Sequence, residues 1–215
     1  MYEVAFNRLD DYVAGMGDSK FQSSAWTSNF SKSIRGRPKL EDAYVGANPL
    51  YDRCDACNRS GHTPTFEVYF KGSIYHRETL EELEDDLDDN DSDDADEAPT
   101  DVPKAGTLYR LGKFCMRNAR QAHAFRHWKF HLNEWVVDYL KEVGELAPEK
   151  IVARDGWKAK KPWKDAERIV DKMDSEGEIR NLRRDFKNQI SDAQNVNNVS
   201  QAAKLNHSFI LANTS

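Results

Sequence analysis

Cysteine stands at three positions, and they fall in two places: Cys54-Asp-Ala-Cys57, continuing as Asn-Arg-Ser-Gly-His62, and Cys115 in Phe114-Cys-Met-Arg117. Two thiols three residues apart at a tight turn can face one metal ion. An odd, clustered set suits a reducing compartment and a metal better than disulfides. Beyond Cys115, His123 and His127 stand four apart, on one face of a helix. The candidate ligands of a zinc ion are therefore Cys54, Cys57, Cys115, His123 and His127. A CxxC turn, a hairpin and a helix bearing further ligands is the layout of a treble-clef finger.

Spacing limits how these ligands combine. In one regular helix the backbones of Cys115 and His123 would lie ~12 Å apart, so both reach one ion only if the helix begins after Cys115 or bends there. Otherwise the set is Cys54, Cys57, His123 and His127, with Cys115 a buried thiol. His62 completes Cys-x2-Cys-x4-His, but Glu67 stands where a zinc knuckle has its last cysteine, which leaves His62 a supporting or turn role. The competing reading has two surface thiols, a core Cys115, and histidines bonded to backbone or carboxylate. A closed thiolate–imidazole set is structural; a catalytic zinc needs a water position with a nearby acid or base, and no motif supplies one.

Charge divides the chain unevenly. Residues 81–101 hold thirteen Asp and Glu and no Lys or Arg. Without them 24 acids face 31 basic residues, and the net charge changes from −6 to +7. A run this charged, with only Leu83 and Leu87 as large apolar residues, cannot build a core and reads as a disordered insertion in a hairpin. The start lacks the basic and apolar regions of a signal peptide, and no stretch approaches the ~20 apolar residues of a membrane span. A helical pattern beginning at once (Val4, Phe6, Leu9, Val13) suggests a piece of a longer protein.

In order along the chain, a helix over 2–13 ends near Gly15 and Gly17, and Phe21, Trp26 and Phe30 anchor the segment that follows. Arg35-Gly36-Arg37-Pro38 has the pattern of an AT-hook, an extended segment for the minor groove of A·T-rich DNA. The plainer reading is a turn with surface arginines. Alternation predicts strands over 66–70 and 107–114. From 116 to 143 the spacing of Phe125, Trp128, Leu132, Trp135, Val136 and Tyr139 predicts one long central helix. His131, at the edge of that stripe, reads as a satisfied core-edge histidine. Further helices follow from Ala147-Pro148, over 164–173 and over 178–193, before a frayed tail.

The expected fold is mostly α with a small β-hairpin: a zinc-stapled, treble-clef-like centre plus flanking helices. Its parts are 1–50 (helix and aromatic-anchored segment), 51–80 (CxxC turn and first strand), 81–106 (acidic insertion), 107–193 (second strand, central and C-terminal helices) and 194–215 (tail).

Several words of the sequence carry a resemblance: Ser19-Lys-Phe-Gln-Ser-Ser-Ala-Trp26, Cys54 to His62, Leu111-Gly-Lys-Phe-Cys115 and His127-Trp-Lys-Phe-His-Leu-Asn-Glu-Trp-Val137. Together they resemble domain of unknown function 4211, found mainly at the C-terminal end of large fungal nuclear proteins and in the animal coiled-coil domain-containing protein 82. The likeness runs over about residues 2–193. It implies a nuclear or chromatin-associated module without known catalysis. The matching positions Cys54, Cys57, Cys115, His123 and His127 imply a metal or a tightly packed polar centre.

No phosphate-cradling glycine loop, activated nucleophile or paired acids occur as a motif, so catalysis and a small-molecule substrate are not expected. The first expectation is an interaction module for a protein partner, histones or a chromatin complex, with the acidic run offered to basic partners. The second is a DNA- or RNA-binding domain. Its candidate contacts are Arg35, Arg37, Arg117, Arg120, Lys158, Lys160, Lys161, Arg183 and Arg184, with Trp157 and Trp163 among the lysines.

Overall fold

The structure is a computed structural model, and it describes residues 2–61, 63–83, 101–158 and 160–194. It divides into two compact units, Met1–Tyr139 and Leu140–Ser215. The described part is mostly helical with one small antiparallel sheet. None of its helices is long and apolar enough to cross a membrane.

In the first unit, α1 (Tyr2–Lys20) and α2 (Ser28–Gly36) precede the sheet. The sheet has three strands, not the expected two: β1 (Lys39–Tyr44), β2 (Phe66–Lys71) and β3 (Leu108–Leu111), in the order β1-β2-β3. β1 escaped the sequence reading because Lys-Leu-Glu-Asp-Ala-Tyr places charge on both faces. It is almost wholly exposed, and its register with β2 (Leu40 against Phe70, Tyr44 against Phe66) holds it in place.

The alternation of β2 does what period-two patterning demands. Val68 and Phe70 are buried while Glu67, Tyr69 and Lys71 are partly exposed. Next comes α3 (Lys113–Arg126), whose Met116, Ala119, Ala122 and Phe125 are buried. Phe30 of α2 is fully buried and meets Phe70 and Tyr109 edge-to-face at 5.6 and 5.2 Å. That geometry suits the ring quadrupoles. On α1, Gly17 is where the backbone comes close: a Cβ there would stand 3.2 Å from that of Phe125.

The expected long helix is two helices. α3 ends at Arg126 and α4 runs Trp128–Glu142, with His127 between them at φ −106° and ψ 18°. The apolar spacing continues through His127, so the sequence pattern does not reveal the break. The imidazole of His127 is fixed by two hydrogen bonds described below.

Of the acidic insertion expected over 81–106, residues 84–100 lie outside the described residues, but both of its roots are held. On the near side Tyr75 and Glu82 form a bridge, and Leu83 N–H donates to Ile74 O at 2.7 Å. On the far side Val102 packs on Gly36 so closely that a Cβ would meet it at 2.7 Å. The buried guanidinium of Arg37 donates to Pro103 O at 3.0 Å and to Gly72 O at 3.0 Å.

In the second unit, α5 (Pro148–Asp155), α6 (Lys160–Ser175) and α7 (Glu178–Gln194) follow turns at Gly144 (φ +70°) and Gly177 (φ +85°). These are the expected helices, α6 longer than expected at both ends. Little is buried. Among its described residues Met173 and Glu145 are. Glu145 accepts from Arg154 at 2.6 Å, Lys150 at 3.1 Å and Arg168 at 3.1 Å, and Asp165 joins the same two arginines.

Candidate metal centre

The knuckle begins where Arg53 bridges Ser60, turning residues 54–59 back on themselves. Asn58 N–H donates to Cys54 O at 2.7 Å. Asn58 and Gly61 take positive φ (52° and 73°), a conformation asparagine and glycine tolerate best. Two bonds tie this turn to β3: Asp55 N–H to Arg110 O at 2.9 Å, and Arg110 N–H to the Asp55 carboxylate at 2.6 Å. Thr27 N–H donates to Ala56 O at 2.7 Å, anchoring the knuckle to the segment before α2.

From the other side comes α3, entered directly from β3 through Gly112. Cys115 lies in its first turn. The Sγ atoms of Cys54, Cys57 and Cys115 all lie within 4.8 Å of one another. Bonds of ~2.3 Å at tetrahedral angles would place thiolates about 3.8 Å apart, so a small closure completes the set. Cys54 is fully buried, and Cys57 and Cys115 are partly so.

The electrostatics favour thiolate at Cys54. A hydrogen bond from Cys115 lowers its pKa most, against a burial penalty, and the N–H groups of Gly112, Cys57 and Ala56 add to the lowering. Gly112 N–H lies 3.4 Å from its Sγ. Cys115 moves the other way, raised by that same bond to Cys54 and by burial. Three crowded thiols cannot all ionise unaided; a dication removes that obstacle, since metal binding displaces thiol protons. Soft sulfur donors with backbone N–H support fit zinc or another thiophilic metal.

The expected set of five ligands contracts accordingly. α3 begins at Lys113, so Cys115 and His123 sit in one regular helix, ~12 Å apart along its axis. Both imidazoles are instead spent on the core beneath α2. His123 Nε2 lies 2.9 Å from Arg37 O, and His127 Nε2 lies 2.8 Å from Ile34 O. A carbonyl only accepts, so each Nε2 carries the proton. His127 Nδ1 then accepts from Tyr75 O–H at 2.6 Å. Burial pushes His123 down to about 3 and His127 well below its usual value, so both are neutral. Buried Tyr75 is raised to about 12. His131 Nδ1 lies 3.4 Å from a carboxylate oxygen of Glu134. His62 lies outside the described residues.

The candidate nucleic-acid contacts scatter. Arg35 and Gly36 end α2, and Arg37 is buried with its guanidinium on carbonyls, so Arg35-Gly36-Arg37-Pro38 is no extended hook: its second arginine is part of the core. Sequence could not separate this arginine from a groove-binding one, because its partners come from residues 72 and 103. Arg35 donates to Gln22 at 2.7 Å, Arg120 is bound by Asp42, Arg117 lies 5.6 Å over the Phe114 ring and Arg184 pairs with Asp185 at 3.1 Å. Lys158, Lys160, Lys161 and Arg183 are exposed.

Comparison with known proteins agrees with the resemblance in the sequence. The family model of the Domain of unknown function (DUF4211) matches residues 1–80, which include Cys54, Cys57 and Arg37. An uncharacterized protein of Schizosaccharomyces pombe (strain 972 / ATCC 24843) is 33% identical over 124 residues, 58% of this chain. The chain covers 18% of that relative's length. No solved structure matches.

Proposed function

We propose that Cys54, Cys57 and Cys115 hold a structural zinc ion, and that the first unit is a treble-clef-like, non-catalytic interaction module of a larger nuclear protein. The observation that carries the metal reading is the convergence of three thiols from two elements 55 or more residues apart, with Gly112 N–H aimed at the most buried of them. Knuckle, hairpin β2–β3 and a helix with a ligand in its first turn succeed one another in the order that fold requires. Zinc would bind the three thiolates and complete its coordination with a fourth donor, joining the turn to α3. Among the described residues, no histidine or carboxylate joins the three thiols in their cluster.

X-ray absorption on the purified protein tests the ligand set. Three sulfur neighbours at ~2.3 Å support it; two or fewer would remove Cys115 and with it the joint between knuckle and helix.

The nuclear, partner-binding part rests on the family resemblance and on the acidity of residues 81–101. Thirteen carboxylates suit a basic partner such as histone tails. Histone-tail peptides should bind the full chain in low salt and lose affinity when the acids of 84–100 are replaced by Ser and Gly. Equal affinity for both chains would sink the histone reading, and exclusion of a fluorescent fusion from nuclei would sink the compartment.

A further inference from the structure

The candidate basic residues differ in one respect that matters for binding a polyanion, namely whether their charge is already used. Arg37 and Arg120 are committed to carbonyls and to Asp42, and Arg184 to Asp185. Lys158, Lys160, Lys161 and Lys164 are exposed, and none makes an ion pair with a described residue. They crowd into seven residues, with Lys160 and Lys164 one helical turn apart on α6, where like charges repel. Of the nearby acids, Asp165 is taken by Arg154 and Arg168, and Glu167, although its Oε1 accepts from Trp163, keeps a charge that the four lysines outnumber.

Between these lysines Trp163 is 70% exposed, the largest side chain so exposed among the described residues. Its Nε1–H donates to Glu167 at 2.8 Å, one turn away, which steadies the indole on the helix surface instead of burying it. A second indole, Trp157, carries Lys161 Nζ 4.2 Å over its ring and Arg154 at 5.9 Å. Ammonium groups not held in ion pairs, flanking an open aromatic face, are what a flexible phosphodiester chain with unpaired bases needs: phosphates neutralised by lysine, a base stacked on indole. A duplex hides its base faces and would leave Trp163 unused.

We infer that the start of α6 is a binding surface for single-stranded nucleic acid, with Lys158, Lys160, Lys161 and Lys164 on phosphates and Trp163 as the stacking platform. The surface lies wholly in the second unit and uses none of the thiols, so it stands or falls independently of the zinc site.

The test is fluorescence anisotropy of the whole chain with labelled ~20-nucleotide oligo(dT) and oligo(U), a length that exceeds the site size of a typical single-strand binder. Affinity is read against salt. Replacing the four lysines by Ala should weaken binding at least tenfold at low salt and make the log–log salt slope shallower by about 3, at ~0.7 per phosphate contact. Trp163→Ala should cost about tenfold or more, with Trp163→Phe restoring most of the affinity. All five positions are exposed, so unchanged circular dichroism is expected of each variant. Any of three results would overturn the inference: an unchanged salt slope in the lysine variant, indifference to Trp163→Ala, or a preference for duplex of the same length. Equally tight binding to phosphatidylserine vesicles or to polyglutamate at matched charge would also overturn it, by making the lysines a general anion surface.

Discussion

The two units are held by different forces. In the first, Phe30, Phe70, Phe125, Leu111 and Met116 are all but fully buried, and the polar groups among them include the neutral imidazoles of His123 and His127 and the guanidinium of Arg37, all satisfied by backbone carbonyls. In the second, a carboxylate ringed by Lys150, Arg154 and Arg168 stands where an apolar centre would be expected, beneath helices whose Ile151, Val152, Trp163 and Val170 are exposed. The contrast teaches how to take the molecule apart: cavities, acid and chelators act on the first unit, salt on the second. Regional hydrogen exchange on the intact chain separates the responses.

The largest effect should come from the thiols. Structural zinc contributes ~10–16 kcal/mol in small finger peptides, so strong chelation or Cys54→Ala should abolish protection of residues 53–61 and the first turn of α3. Protection of α5 to α7 should persist. Simultaneous loss in both units would erase the distinction. Next comes Phe30→Ala, expected to cost about 3–5 kcal/mol because three rings lose a fully buried partner. Urea unfolding followed by a probe in each unit should show the shift in the first alone.

Acid sharpens the comparison further. His123 is held down to about 3 and His127 well below its usual value, whereas in the unfolded chain both protonate near 6.5. Between those values the unfolded state binds more protons. The stabilisation is therefore complete above about pH 6.5 and is lost as pH falls toward 3, at up to ~2.7 kcal/mol per unit for two groups. His127→Gln should roughly halve that slope. Burial opposes ionisation of Glu145, but Lys150, Arg168 and Arg154 outweigh it and hold the carboxyl down to about 2. Its contribution is present above its ordinary value near 4.5 and fades as pH falls toward 2. At pH 5, then, the first unit should be loosened and the second intact; the reverse order would contradict both assignments.

The smallest effect is expected from Glu145→Gln, about 1–3 kcal/mol after allowance for the half-exposed Arg168. It should abolish any extra salt sensitivity of the second unit. If salt acts equally on both units before and after the substitution, the ion cluster is not what distinguishes them.

Legibility in the sequence follows the same division by range of interaction. Cys54 and Cys57 were readable because three-residue spacing at a turn is a local signal, and the helices after Gly144 because their periodicity and stops are local too. β1 was not readable: its pairing with β2 crosses more than twenty residues of loop, and its own pattern is charged. Arg37 looked like a DNA contact since the carbonyls that bury it come from Gly72 and Pro103. His123 and His127 had metal-ligand spacing, yet the same i, i+4 geometry equally serves the carbonyls of Arg37 and Ile34 at the end of α2. The decisive limit was already in the spacing of Cys115 and His123, which separates one from the other once the helix includes both.

The central claim is that three thiols and neither imidazole hold a metal. Elemental analysis of the wild type, Cys54→Ala and His123→Gln tests it most directly, with each protein purified under reducing conditions. The account predicts one zinc per chain in the wild type and in His123→Gln, and none in Cys54→Ala. Zinc lost with His123, or kept without Cys54, would contradict it.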